Sequence, residues 1–209
     1  MAALAGTVDH ARRHVEAGVD IVVAQGYEAG GHTGEISTMV LVPEVVDTVD
    51  PVPVLAAGGI GNGRQVTAAL ALGAQGVWTG SVWLTTEEAE THPVVKQKFL
   101  KASSRDTIRS RSLTGKPARQ LRSAWTEAWE DPGNPDPLPM PLQPLLVREA
   151  QARISRTAHK SPGSEQLINY FVGQIVGSLN QVKSVRSVVE ELVQDYADTM
   201  ERLDDWAQG

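Results

Sequence analysis

At 209 residues the chain is long enough for one large domain with a real apolar core, and 41% hydrophobic against 21% charged residues excludes collagen-like and wholly disordered classes. A formal net charge of -6 argues against nucleic acid and anionic membranes as partners, and the absence of cysteine removes disulfides, thiolate catalysis, zinc ribbons and iron-sulfur clusters. No stretch approaches the ~18 apolar residues of a membrane span and no basic leader follows Met1, so a cytoplasmic protein is expected.

The first part of the chain alternates β-branched runs with helical patterns, the signature of βα units around a parallel sheet. Residues 2–7 read as the tail of a strand. A helix over 8–17, stopped by Gly18, leads into a strand over 19–24 (VDIVVA). A helix over 41–49 precedes a strand over 53–57 (PVLAA), and a helix over 65–72, stopped by Gly73, precedes one over 76–80 (GVWTG). These runs are apolar on both faces, as buried parallel strands are.

Past Thr85 the pattern turns helical, with a helix expected from Pro93 and a polar, basic stretch over 105–121. Residues 130–144 (EDPGNPDPLPMPLQP) hold six of the 12 prolines and read as a structureless connection or extended arm. Two amphipathic helices follow, over 145–158 and 184–206. Between them residues 167–179 (LINYFVGQIVGSL) read as a more apolar helix with Gly173 and Gly177 on a close-packing face. The divisions expected are 1–125, a connection over 126–144, and a helical tail over 145–209.

Chemistry concentrates in two glycine-rich loops. The first reads Gln25-Gly26-Tyr27-Glu28-Ala29-Gly30-Gly31-His32-Thr33-Gly34-Glu35 and follows a strand, where parallel α/β folds bind ligands. His32 is the one good acid-base candidate, because His10, His14, His92 and His159 fall in helices or polar linkers. A tight glycine turn with a solvated histidine would give the same letters. The second loop, Ala57-Gly58-Gly59-Ile60-Gly61-Asn62-Gly63-Arg64, links a strand to a helix and offers free amides at a positive helix end. Gly80-Ser81 closes the next strand, and paired glycine loops after consecutive βα units match the phosphate site of a TIM barrel. GGIGNG lacks dinucleotide GxGxxG spacing, and there is no Walker lysine, metal-ligand spacing or Gly-x-Ser-x-Gly elbow. Glu28 and Glu35 can orient His32 or simply be solvated. Trp78 and Trp83 can wall a pocket or pack a core. Arg105, Arg109, Arg111, Lys116, Arg119 and Arg122 can meet an anionic thioester or form a solvated face.

The blocks AQGYEAGGHTGE, LVPEVVDTV, PVLAAGGIGNGRQVTAALALGAQGVWTGSVWL and HPVVKQKFLKASSRDT together resemble the FMN-dependent nitronate monooxygenases and their relatives, the flavin enoyl-acyl-carrier-protein reductases. The resemblance runs over residues 5–122. It implies an α/β fold, a partial TIM (β/α)8 barrel made of about the last four βα units, followed by a helical C-terminal tail. It implies FMN as cofactor, with NAD(P)H as reductant on the reductase side, and a small-molecule substrate. The family's catalytic histidine falls on His32. Gln25, Gly26, Gly30 and Gly31 would lie along the flavin, and Gly58, Gly59, Gly80 and Ser81 would cradle its phosphate, Ser81 standing where the family usually has threonine. The reaction implied is oxidation of an alkyl nitronate by O2 to a carbonyl compound and nitrite; the alternatives are an NAD(P)H-dependent enoyl-thioester reductase and a non-catalytic barrel subunit. Since the resemblance covers only the later strands of such a barrel, the earlier ones are expected from a longer reading frame, a second copy in a homodimer, or a partner chain.

Overall fold

The computed structural model of the chain describes residues 1–209. Strand β1 (Ala2–Ala5), helix α1 (Val8–Glu16), strand β2 (Ile21–Gln25), a two-residue strand β3 (Gly31–His32), helix α2 (Thr38–Val49), strand β4 (Val54–Ala57), helix α3 (Gly63–Ala71) and strand β5 (Gly76–Val77) come first. The strands β1-β2-β4-β5 form one wholly parallel sheet in that order. Register places Leu4 beside Val23 and Val23 beside Leu55, while Ala24 sits beside Ala56. Val22, Ala24, Val54 and Ala56 turn to the other face and are buried with Leu41, Val42 and Val45 of α2 in a first core. The β-branched runs and the helix periodicity therefore do what their patterns predict. The last strand is shorter than expected, ending at Val77 with three residues between it and a 3-10 turn (Ser81–Trp83).

The rest of the chain departs further from its local pattern. Helix α4 (Pro93–Lys101) forms from Pro93 as expected. The basic stretch over 105–121 is an antiparallel hairpin, β6 (Thr107–Ser110) with β7 (Ala118–Leu121), and β7 also pairs with β3. Helices α5 (Ala124–Glu130) and α6 (Leu142–Thr157) flank the Pro-rich connection, α7 (Pro162–Leu167) is short, and α8 (Val185–Gln208) lies along α3. Residues 168–173, expected inside a helix, are extended instead. Leu121 N–H donates to Tyr170 O at 3.0 Å, Gln174 N–H donates to Glu28 O at 2.9 Å, and only Gln174–Ser178 winds into a 3-10 turn. Backbone partners far away in sequence outweigh helix propensity there.

A second core joins Val95 and Phe99 of α4, Leu121, Trp125, Val147 and Ile154 of α6, and Ile168, Val172 and Val176. It draws on both sides of the Pro-rich connection. No helix is long and apolar enough to cross a membrane.

Candidate active site

At the carboxyl ends of β2, β4 and β5, where a parallel sheet leaves loop amides facing outward, lies a cavity of about 280 Å³. Seven sequence-predicted residues line it: Gln25, Gly30, Gly31, Gly58, Gly59, Gly80 and Ser81. Trp78 forms part of the wall, whereas Trp83 turns away and donates its indole N–H to Thr79 O at 3.0 Å. Phe171, Gly173 and Ile175 complete the lining from the far end of the chain. Their only trace in the sequence is the Gly173 and Gly177 pair in an otherwise apolar run, which read as helix packing. Gly173 has no room for a side chain because a Cβ there would stand 2.8 Å from Glu28 O.

Gly26 does not line the cavity. Its Cα is pressed against Thr38, where a Cβ would overlap the Thr38 hydroxyl and backbone. Thr38 ties the two glycine loops together. Its Oγ1 lies 2.9 Å from Glu28 Oε2 and 3.1 Å from Gly58 O, and its N–H donates to Glu28 Oε2 at 3.0 Å. Glu28 is thus committed to the first turn of α2, and Glu35 stands 3.7 Å from Arg109 Nη1. Neither carboxylate orients His32.

The anion site expected at the start of α3 is filled by the protein itself. Asn62 and Gln65 form a capping box, Gln65 Oε1 accepts from Gly61 N–H at 2.8 Å, and Arg64 N–H donates to Asp195 Oδ2 at 3.0 Å. The free donors lie next to it. The N–H groups of Gly59, Ile60 and Gly80 donate to no group of the chain. Gly58 adopts φ +109° between Thr38 Oγ1 and Gly26 O, at 2.9 and 3.2 Å from where a Cβ would be, so only glycine passes there unstrained. Around Gly80 nothing of the protein comes within 4 Å of that position. Ser81 Oγ accepts Gly173 N–H at 2.8 Å and keeps its own proton to donate. Unpaired amides, a hydroxyl and an open approach are the donor set a phosphate requires, and the residues present fit the phosphate of a flavin mononucleotide.

His32 sits on β3, outside the lining, with its ring centroid 6.4 Å from that of Phe171, which is in it. Its Nε2 is 2.7 Å from Thr114 Oγ1. Burial pushes its pKa below the usual histidine value, and the Lys116 ammonium pushes the same way. Both effects favour the neutral imidazole over the imidazolium.

Most of the basic run is exposed, Arg105, Arg111, Lys116 and Arg122 among it, but Arg109 is half-buried and Arg119 turns inward. Arg119 is only 2% exposed; its Nε and Nη2 donate to Tyr27 O at 3.1 and 2.9 Å, and its Nη1 donates to Thr107 Oγ1 at 3.0 Å. Arg119 and Arg109 lie 4.4 and 5.0 Å from the Tyr27 ring centroid, and together they pull the Tyr27 phenol below its usual pKa, Arg119 more strongly. Arg109 Nη2 also donates to Thr33 O at 3.0 Å. These arginines fasten the first glycine loop to the hairpin.

The nitronate monooxygenase family model matches residues 1–195. A Mycobacterium tuberculosis protein named as a monooxygenase is 67% identical over 205 residues, which is 97% of this chain and 54% of that protein. A nitronate monooxygenase so named in Bacillus subtilis is 38% identical, over 91% of this chain and 56% of its own length. The chain spans about half the length of these relatives. Among solved structures, FabK from Thermotoga maritima superposes with a TM-score of 0.81 at 34% identity, over 98% of this chain and 63% of that one. A nitroalkane oxidase from Streptomyces ansochromogenes gives 0.85 at 29% identity, over 97% and 58%. The parallel sheet with its helices is the α/β arrangement of those structures. The chain belongs to the nitronate monooxygenase family, a family of oxidoreductase enzymes.

Proposed function

We propose that the cavity holds FMN and that the chain carries the cofactor side of an active site that oxidises alkyl nitronates with O2 to a carbonyl compound and nitrite. The observation that carries this reading is the set of unpaired N–H groups at Gly59, Ile60 and Gly80 beside the Ser81 hydroxyl. FMN, when bound, would supply the electron-accepting ring, which no side chain can provide. Gly59, Ile60, Gly80 and Ser81 would donate to its phosphate. Gln25 makes no side-chain hydrogen bond within the chain and, with Gly30 and Gly31, would meet the ring system. His32, neutral near pH 7, would hold the α-carbon proton that separates a nitroalkane from its nitronate. Phe171 and Trp78 would cover that side of a bound ring.

We read the four parallel strands as the last four βα units of a (β/α)8 barrel. Both β1 and β5 are sheet edges, and Leu4 on β1 is half-exposed at the cavity wall. A second copy or another chain supplying the remaining strands would close them.

The likeness to FabK favours a second reading, reduction of an enoyl thioester by NAD(P)H on the same flavin. Nitrite release from propionate 3-nitronate without NAD(P)H is expected for the first reading. Thioester-dependent NAD(P)H consumption without nitrite would replace it with the second, and failure of both would overturn both assignments.

A further inference from the structure

Outside the cavity, the most elaborate set of buried polar contacts surrounds the 111–117 loop joining β6 to β7. At its tip Gly115 adopts φ +79° and donates its N–H to Arg111 O at 2.8 Å. The Arg111 guanidinium returns two bonds, Nε to Gly115 O at 3.2 Å and Nη2 to Pro137 O at 3.1 Å. A side chain at Gly115 would collide with the Leu138 carbonyl. Gln143 of α6 is fully buried and clamps both walls. Its Nε2 donates to Ser112 O at 2.8 Å, and its Oε1 accepts Leu138 N–H at 2.9 Å. Hairpin loops are ordinarily mobile, but this one is fastened from beneath by the Pro-rich connection. What it presents is Thr114, at 2.7 Å from His32 Nε2 and 82 residues away in sequence.

The direction of that bond depends on where the single hydroxyl hydrogen goes. The Thr114 hydroxyl has one hydrogen to give, and Lys116 O, 3.1 Å away, can only accept. Given to Lys116 O, the hydrogen leaves Oγ1 with a lone pair toward His32, and Nε2 then carries the ring proton; Lys116 N–H also approaches Oγ1, at 3.4 Å. His32 Nδ1 has no partner within the chain.

We propose that Thr114 is a positioning residue which fixes His32 in its Nε2–H tautomer and leaves Nδ1 as the nitrogen that exchanges a proton with substrate. The catalytic consequence rests on His32 being the proton-transfer group; the tautomer is a property of the chain itself. No carboxylate is placed to do this work. The charged groups around β3 are Lys116 on the loop, Arg119 on β7, and Arg109 on β6 with its partner Glu35. Histidine orientation by an acceptor on the opposite nitrogen commonly carries one to two orders of magnitude of activity, about 10–100-fold.

The test is nitrogen-15 NMR of the imidazole in the purified chain at pH 7.5, with the His32 signals assigned by their loss in His32→Gln. The wild type should show a protonated Nε2 and a bare Nδ1. Thr114→Val should give a mixture of both tautomers, and Thr114→Ser should restore the wild-type pattern. In nitronate turnover Thr114→Val should lower kcat about 10–100-fold with little change in KM, with recovery in Thr114→Ser. A wild-type His32 protonated on Nδ1, or a Thr114→Val spectrum identical to wild type, overturns the proposal. If Thr114→Val does not fold, Thr114→Ala against Thr114→Ser makes the same comparison. A tautomer pattern that follows the prediction in a chain without nitronate turnover supports the Thr114 assignment and removes the nitronate reading.

Discussion

In the parallel layer the 13 clustered core residues from Ala5 to Ala74 are all apolar, and sheet and helix meet through Val, Leu, Ile and Ala alone. In the second core, 10 apolar residues between Val95 and Val176 share their surroundings with Arg119, Gln120, Gln143 and Asn169, each more than nine-tenths buried. Asn169 Nδ2 donates to Gln120 Oε1 at 2.8 Å, Gln143 bridges Ser112 and Leu138, and Arg119 reaches across to Tyr27. Apolar burial is non-directional, so the first layer specifies volume. Buried polar groups are costly unless paired, so the second region specifies which segments meet. The cavity lies between the two: glycine loops from the first layer and Phe171, Gly173 and Ile175 from the second line it, and the hairpin holds His32 beside it.

Substitution should separate these two modes. The largest effect expected is Leu41→Ala in the first core, about 3 kcal/mol by urea unfolding, while Leu41→Met should cost under about 1.5 kcal/mol because volume is kept. Arg119→Met also keeps volume, yet it should cost about 2–3 kcal/mol, because Tyr27 O loses both of its guanidinium donors. If Arg119→Met is as mild as Leu41→Met, the distinction between the regions fails. Gln143→Leu should cost about 1–2 kcal/mol and raise amide exchange in the 111–117 loop while leaving β2 and β4 protected.

The smallest effect expected is a change of pH profile without loss of stability. Because His32 titrates below the ordinary histidine value of 6.5, the base form persists as the solution is acidified and the acid limb of the rate lies below pH 6.5. Lys116→Gln should move that limb upward, toward the ordinary value; a downward shift would contradict the assigned cause. The sign for stability follows: the contribution of neutral His32 is complete above the unfolded value and declines as pH falls through the folded one.

Where local pattern decides structure, the sequence was readable. The parallel strands, the helices that precede them and the glycine loops at their ends all follow from periodicity and punctuation. The hairpin over 107–121 was not, because an arginine and a glutamine in β7 look like surface residues until Tyr27 and Asn169 arrive from elsewhere. The same holds for Phe171 and Gly173, which read as helix and are held extended by bonds to β7 and Glu28. At the cavity, sequence reasoning named loops that the fold brings together, but it placed the anion at the start of α3, where Asn62, Gln65 and Asp195 already satisfy the amides. Gly26, expected along the flavin, is pressed against Thr38 instead. Thr114 left no signal at all, since its meaning depends on a contact across 82 residues.

The most direct test of the account is flavin retention: the purified chain is incubated with FMN or with riboflavin, which lacks the phosphate, desalted, and its visible absorption recorded. Retained flavin bands with FMN and little or none with riboflavin are predicted, because on the proposed reading the unpaired amides at Gly59, Ile60 and Gly80 would grip the phosphate. Equal retention of the two, or retention of neither, would contradict the assignment of this cavity as a phosphate-anchored FMN site.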